Sequence, residues 1–223
     1  MSSIDICNVF SIGIADTIEE KDEIYKLRYK SYRHDAVIDQ SEDEIFFDEY
    51  DDLSSSRIIY IAQSGKGIVG SVRFTLNKPG STTFTSSEYL IFPDVLGPIA
   101  EKKSIVCANR LCIAPESRNK SQILAYLLAA KVFGSDYIAA EYAIAATTTN
   151  KLKFYKHLMG MEKISDTRKL PSLKRDYCLV GKNLNDNSSS VLKKLAFSLG
   201  KNFFANQFAI QEELQKFMQY KPC

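Results

Sequence analysis

Short apolar, β-branched runs alternate along the chain with stretches in which apolar residues recur every three or four positions, the pattern of strands interleaved with amphipathic helices. Asn8 to Ala15 (NVFSIGIA) predicts a first strand. Asp16 and Thr17, followed by Glu19 and Glu20, form a helix start, and Ile24, Leu27, Tyr29 and Tyr32 carry the apolar face to about Arg33. His34 to Asp52 is irregular and acidic and ends in FFDEYDD. Arg57 to Gln63 and Ile68 to Leu76 flank the turn Ser64-Gly65-Lys66-Gly67 and predict a hairpin. The Pro-, Gly-, Ser- and Thr-rich passage from Asn77 to Pro98 reads as an irregular connection, long enough for a functional role.

The stretch from Ser104 to Phe133 organises the rest. Its apolar run Ile105 to Ile113 predicts a buried strand and Pro115 stops it; Glu116 to Ser121 is a polar loop. Ile123, Leu124, Leu127, Leu128 and Val132 then mark a helix. Strand, polar turn and helix in this order turn free backbone N–H groups towards an anion. Ser121 is placed to cap the helix, and Arg118 and Lys120 add positive charge where a phosphate would sit. An ordinary strand-to-helix connection explains the same residues. Tyr137 to Ala145 predicts the next strand, and Thr147 to Asn150 start a helix with Leu152, Phe154, Tyr155 and Leu158 that Gly160 ends. Met161 to Ile164 and Tyr177 to Val180 predict the last strands. Asn185 to Ser190 (NDNSSS) breaks the chain before a helical extension, Val191 to Tyr220.

The length of 223 residues suits one α/β domain over residues 1–184, a linker at 185–190 and a C-terminal amphipathic helical extension at 191–223. A formal net charge of +2 gives no argument for nucleic acid. Five cysteines without a C-x-x-C pair argue against a disulfide framework, and His34 and His157 alone argue against a metal cluster. Cys107 and Cys112 are an odd number apart and are expected on opposite faces of a regular strand. With no histidine base near in sequence, neither is expected to be a nucleophile. No basic-then-apolar leader and no apolar run of transmembrane length is seen, so a cytoplasmic location is expected. In the extension, Lys193, Lys194, Lys201 and Lys216 lie among Phe197, Phe203, Phe204 and Phe208. That mixture fits a docked helix, a homodimer or carrier-protein contact, or a peripheral membrane segment.

Ile113, Pro115 and Arg118, ahead of the predicted helix, resemble the donor loop V-x-P-x-x-R-x-x-G-x-G/A of the GNAT acyltransferase superfamily. The order of predicted elements fits that topology from about Asn8 to Leu184. The resemblance implies a mixed central β-sheet flanked by helices. It also implies an acyl-thioester donor bound by Leu111, Cys112, Ile113, Arg118, Asn119, Lys120, Ser121 and Gln122. Ser121 and Ile123 stand where the family has two glycines. Without glycine the backbone approaches a pyrophosphate less easily, which favours the single phosphate of an acyl carrier protein's phosphopantetheine arm over CoA. No permanently bound cofactor is implied.

Within that superfamily, the residues Arg28 and Tyr32 (LRYKSY), Asp48 and Asp51 (FDEYD), Arg73 (GSVRF) and Arg110 (ANRL) resemble one subgroup. It comprises the acyl-homoserine-lactone synthases and the related N-acyl amino acid synthases. The lactone synthases' tryptophan is absent, and Cys107 replaces their glutamate three positions before the last arginine. The resemblance therefore points to the N-acyl amino acid synthases, which implies moving a long-chain acyl group from a carrier protein to an amino acid's α-amine. Asp48 and Asp51 would hold the substrate ammonium or carry off its proton, and Arg73 or Arg110 would grip its carboxylate. Arg28, Tyr32 and Asn109 would line the same site. Tyr155, in KFYKHLMGM, resembles the tyrosine that protonates the leaving sulfur, and backbone N–H groups near Leu111 and Cys112 would polarise the carbonyl. The acyl chain would lie where the central strand splays from the alanine-rich strand after it.

Other readings fit these residues. They are a lactone synthase using S-adenosylmethionine, a CoA-dependent GNAT acetyltransferase, and a catalytically silent module that binds an amino acid or an acyl thioester. Arg28, Asp48, Asp51 and Arg73 also fit one buried ion-pair network pinning the acidic loop to the sheet, and Tyr155 fits the core of its helix.

Overall fold

A computed structural model describes residues 10–81, 85–119, 140–170 and 173–185. Strand β1 (Phe10–Ile14) leads into helix α1 (Ile18–His34). The helix begins as its sequence dictates. The Thr17 side chain accepts from the Glu20 N–H while the Glu20 carboxylate accepts from the Thr17 N–H, and the acidic first turn suits the helix dipole. Ile24, Leu27, Arg28 and Ser31 fall at i, i+3, i+4 and i+7 and are all buried, so α1 turns one stripe inward. An arginine on that stripe marks a polar layer inside the fold.

Strands β2 (Ser56–Gln63) and β3 (Gly67–Asn77) form the expected hairpin, and β4 (Ile105–Ile113) pairs antiparallel with β3. Strand β5 (Tyr142–Thr147) runs parallel to β4. The two-residue strands β6 (Glu162–Lys163) and β7 (Arg168–Lys169) both pair with β8 (Asp176–Asn183). The order across the sheet is β1-β2-β3-β4-β5-β8-β6, with β7 attached to β8 off that path. One apolar cluster joins α1 to the hairpin side through Ile24, Leu27, Ile59, Val72 and Phe74. A second gathers Tyr89, Phe92, Leu96, Ile105, Ile144 and Leu179.

Several elements differ from expectation. The passage read as irregular holds two helices, α2 (Ser87–Ile91) and α3 (Pro93–Ala100). Pro93 occupies the first turn of α3, where its missing N–H is no loss. Phe92 and Leu96, four residues apart, are fully buried and anchor the pair. Strand β5 runs from Tyr142 to Thr147, two residues past the expected end, and residues 137–139 of the expected strand lie outside the described residues. The helix expected after it is a 3-10 turn (Thr149–Lys151), a single α-turn (Leu152–Phe154) and a π-turn (Tyr155–Met159). Gly160, at φ +62°, ends it in the left-handed conformation that glycine adopts without steric cost. The helix expected after Ser121, all of the expected linker at 185–190 but Asn185, and the extension beyond lie outside the described residues. Among the described residues no helix is long and apolar enough to cross a membrane.

Strand β4 carries the irregularity on which the site depends. The β3–β4 ladder passes from Arg73↔Asn109 to Ser71↔Cys112, so Val72 faces both Arg110 and Leu111. This is a β-bulge, and Arg110 adopts φ +54° within it. A non-glycine residue in that region costs about 1–3 kcal/mol, which the surrounding contacts must offset. The extra residue also resets the alternation of side chains. Cys107 lies opposite Thr75 and Cys112 opposite Ser71, so the two cysteines share a face, contrary to the expectation for a regular strand. Ser71 Oγ and Cys112 Sγ are 3.3 Å apart. On the other edge, the parallel ladder between β4 and β5 ends at Cys107↔Ile144, while β4 continues to Ile113. The two strands part where the resemblance expects a splay.

Candidate active site

The stripe of α1, the acidic loop and the bulged strand bring their charged residues to one face of β3 and β4. Arg28 Nη1 donates to both oxygens of Asp51, at 2.8 and 2.9 Å. Arg73 Nη1 lies 3.0 Å from Asp51 Oδ1 and also donates to Asp48, whose other oxygen takes Arg73 Nη2 at 3.2 Å. Arg110 binds the same Asp48 through Nε, at 3.0 Å, and through Nη2. Charges of opposite sign therefore alternate along the series Arg28, Asp51, Arg73, Asp48, Arg110. In a regular strand Arg110 would face away from Asn109. The bulge swings its guanidinium to the side of Arg73, whose Nε donates to Asn109 Oδ1 at 2.8 Å.

The loop is built for this role. Asp48 accepts from the Tyr50 N–H, and Asp51 accepts from the Asp48 N–H, each at 3.0 Å, so the D-x-x-D pair closes its own turn. Aromatic residues of the same loop cover the cations. The Arg110 guanidinium sits 5.0 Å from the centre of the Phe46 ring, and Phe46 in turn meets Tyr32 edge-on at 5.2 Å. Burial pushes the Asp48 carboxyl up, but hydrogen bonds and charge from Arg73 and Arg110 outweigh it and hold the group well below the usual carboxylate range. Burial opposes the Arg73 charge, while Asp51 and Asp48 fix it as a permanent cation. Only the end of the series meets solvent: the Arg110 and Asp48 side chains are 10% and 19% exposed.

Arg118 has a different setting. It donates to Asp35 at 2.6 and 3.1 Å, to Ser31 Oγ at 2.9 Å and to the Ser31 carbonyl at 3.3 Å. A guanidinium on the last carbonyls of α1 suits the helix dipole and ties the loop after β4 to that helix. Asn119 is exposed, Leu111 and Ile113 are half-buried, and Lys120, Ser121 and Gln122 lie outside the described residues. Tyr155, in the π-turn, packs edge-on against Phe154 at 5.5 Å and hydrogen-bonds Thr147 at the end of β5. Burial pushes its phenol up to about 12, with the Thr147 bond opposing, so it keeps its proton at neutral pH. His34 and His157 are exposed. Among the described residues no group of His, Cys, Asp and Glu is placed to hold a metal ion.

Sequence reasoning missed Glu88. It lies on α2, is 2% exposed, and both its oxygens are 3.4 Å from Asn109 Nδ2. The signal was the apolar spacing Tyr89, Phe92, Leu96, which marks a helix inside a stretch judged by its prolines.

A mixed sheet whose central strands run parallel, carry a bulge and then part defines a GNAT-like acyltransferase fold. Solved structures share it. FeeM, an N-acyl amino acid synthase from uncultured soil microbes, superposes with a TM-score of 0.67 at 13% identity, covering 83% of this chain and 97% of that one. BjaI, a CoA-dependent acyl-homoserine lactone synthase solved with SAM and isopentyl-CoA, gives 0.58 at 17% identity over 80% of this chain and 82% of its own. An acyl-CoA N-acyltransferase from Pseudomonas aeruginosa gives 0.52 at 8% identity, covering 78% and 99%. The model of the N-acyl amino acid synthase FeeM matches residues 23–183, well over half the chain, and the protein belongs to that family. It is an N-acyltransferase. No curated protein shows a significant sequence match.

Proposed function

We propose that the protein moves a long-chain acyl group from the phosphopantetheine thioester of an acyl carrier protein to the α-amine of an amino acid, in the cytoplasm. The observation that carries this reading is the juxtaposition, on β4, of an arginine–aspartate lattice and an open strand edge. Past Cys107 that edge has no β5 partner, so among the described residues no strand covers the N–H groups near Leu111 and Cys112 that would polarise a thioester carbonyl. The gap between the strands, which opens past Ile144 beside buried Ala145, suits an acyl chain. Arg110, at the solvent end of the lattice, binds the acceptor's carboxylate, and Arg28, Asp51, Arg73 and Asp48 hold it in position. Tyr155, protonated at neutral pH, supplies the proton to the leaving sulfur.

Ser121 and Ile123, in place of glycines, support a carrier-protein donor. CoA is the second reading, favoured by the likeness to BjaI, whose structure holds isopentyl-CoA. The test is to supply long-chain acyl carrier protein, and separately acyl-CoA, with the twenty amino acids and S-adenosylmethionine, and read products by mass spectrometry. An N-acyl amino acid from the carrier donor is expected. Product from CoA alone promotes the second reading, a lactone overturns the acceptor, and turnover of neither thioester overturns both donor readings.

A further inference from the structure

The acceptor's ammonium must lose a proton before its nitrogen can attack, and the two aspartates are poorly suited to take it. Asp48 is gripped by Arg73 and Arg110, and Asp51 by Arg28 and Arg73. Asp48, held well below the usual carboxylate range, accepts a proton weakly, and both carboxylates already have their oxygens engaged by guanidinium groups. Glu88 stands in contrast. Of the buried charged side chains among the described residues (Arg28, Asp51, Arg73 and Glu88), it alone has no ion pair. Its hydrogen bonds are long: 3.4 Å from Asn109 Nδ2 to each oxygen and 3.5 Å from Ser87 Oγ. A buried carboxylate so weakly matched is costly to the fold and lacks a cationic partner.

The surroundings are polar in a way the fold does not use. The hydroxyls of Thr75, Thr85 and Ser86 are buried and find no hydrogen-bond partner among the described residues. Thr75 lies directly across the β3–β4 ladder from Cys107, whose sulfur is 3.6 Å from Asn109 Nδ2, and Ser86 is the cap residue of the helix that bears Glu88. The charges are also ordered. Three guanidinium groups (Arg28, Arg73, Arg110) against two carboxylates (Asp48, Asp51) leave one positive charge over, and Glu88 provides one negative charge beside them. Asn109 separates the two ends, its Oδ1 accepting from Arg73 and its Nδ2 donating to Glu88. This orientation follows from the network, because the reverse would set an amide N–H against a guanidinium. An uncharged spacer between a cationic and an anionic pole is complementary to a zwitterion.

We propose that Glu88 receives the acceptor's ammonium group and removes its proton, while the arginine end of the lattice receives the carboxylate. The inference deepens the functional reading above and rests on it. In the step, a Glu88 oxygen takes one proton from the ammonium and the freed nitrogen bonds to the thioester carbonyl carbon. The C–S bond then breaks, its electron pair leaving on sulfur. The nitrogen releases a second proton as the amide forms, and the thiolate is protonated. One acyl thioester and one ammonium become one amide, one thiol and one proton. The charged and titratable groups around Glu88 are Arg73 from β3, Tyr50 from the acidic loop and Tyr89 on its own helix, with the Cys107 thiol of β4 beyond Asn109.

The test compares wild type with Glu88→Gln, using the acyl-thioester donor and amino acid that wild type turns over. The amide keeps the volume and removes the base. The expected result is a fall in kcat/KM for the amino acid of about 100-fold or more at pH 7, with the donor KM unchanged. That loss should shrink as pH rises and free amine predominates. An amine lacking the carboxylate should show a loss of similar size between the two proteins, at a higher KM, because its ammonium must still lose a proton. A kcat/KM within twofold of wild type, or a loss of the same size at every pH, overturns the role of Glu88 and leaves the functional reading standing. Wild type that acylates no amino acid overturns both. If Glu88→Gln fails to fold, Glu88→Asp carries the test: the acidic limb of the pH profile should move with the donor KM constant, and an unmoved limb overturns the proposal.

Discussion

Arg73 with Asp48 and Arg118 with Asp35 are two arginine–aspartate clusters hung on neighbouring strands, Arg73 on β3 and Arg118 just after β4. They share chemistry and differ in setting. The Arg73 side chain is wholly buried, whereas Arg118 and Asp35 are 32% and 35% exposed. In both, burial pushes the aspartate up and the arginine's hydrogen bonds outweigh it, so both ionise below their ordinary value. Around Arg73, however, each of the three inner charges, Asp51, Arg73 and Asp48, touches two of opposite sign, and Arg73 and Asp51 do so away from water. Around Arg118, water can replace a lost partner. The identity of a pair therefore says little about its weight, and its desolvation says most.

The largest expected effect follows from breaking the buried cluster at its centre. Arg73→Met leaves Asp48 and Asp51 facing each other without their shared cation, and unfolding free energy should fall by about 3–5 kcal/mol, read as a drop in urea midpoint. Adding Asp51→Asn should recover part of that loss, since it removes one of the stranded charges. A single-variant loss below about 1 kcal/mol would place this lattice in the same class as the surface pair.

Acid should separate the two clusters next. Asp48 and Asp35 are more acidic in the folded protein than in the unfolded chain, whose carboxylates titrate near 4. Their stabilisation is thus fully present above about pH 5 and is lost as pH falls through the unfolded value towards the folded one. Wild type should lose stability steeply below pH 4, and Asp48→Asn should flatten that dependence more than Asp35→Asn does. Urea midpoints at pH 3 and pH 7 give the comparison, and equal flattening by both variants would show that burial does not distinguish them.

What the sequence disclosed, and what it hid, divides along the same line between local and tertiary causes. The cap at Thr17, the α1 stripe and the hairpin around Gly65 rest on neighbours in the chain, and they read directly. Proline content misled at Asn77 to Pro98, because Pro93 starts a helix there and Phe92 and Leu96 hold it from the core. Arg28, Asp48, Asp51, Arg73, Arg110 and Asn109 were legible as a set through their resemblance to a family pattern, and the structure brings them together. The shared face of Cys107 and Cys112 was not legible. It depends on a bulge at Arg110, and nothing in ANRL announces a left-handed residue. Glu88 stayed hidden because its helix did, and Arg118 looked like a free cation because Asp35 and Ser31 reach it from a helix more than eighty residues earlier in the chain.

Arg118 therefore gives the smallest and sharpest contrast. Arg118→Ala should reduce stability by only about 0.2–1 kcal/mol, because the side chain is partly solvated and its charge is screened. Raising salt from 0.1 to 0.5 M should erase part of that difference while leaving the Arg73→Met loss nearly unchanged, since buried pairs are screened far less. The carbonyl of Ser31 and the loop after β4 would still lose a tie, so backbone hydrogen exchange should rise around Ile113 to Ser117 without a matching rise along β3. A loss as large as that of Arg73→Met, or one indifferent to salt, would mean that Arg118 holds the loop after β4 through a buried contact and that the two clusters are alike after all.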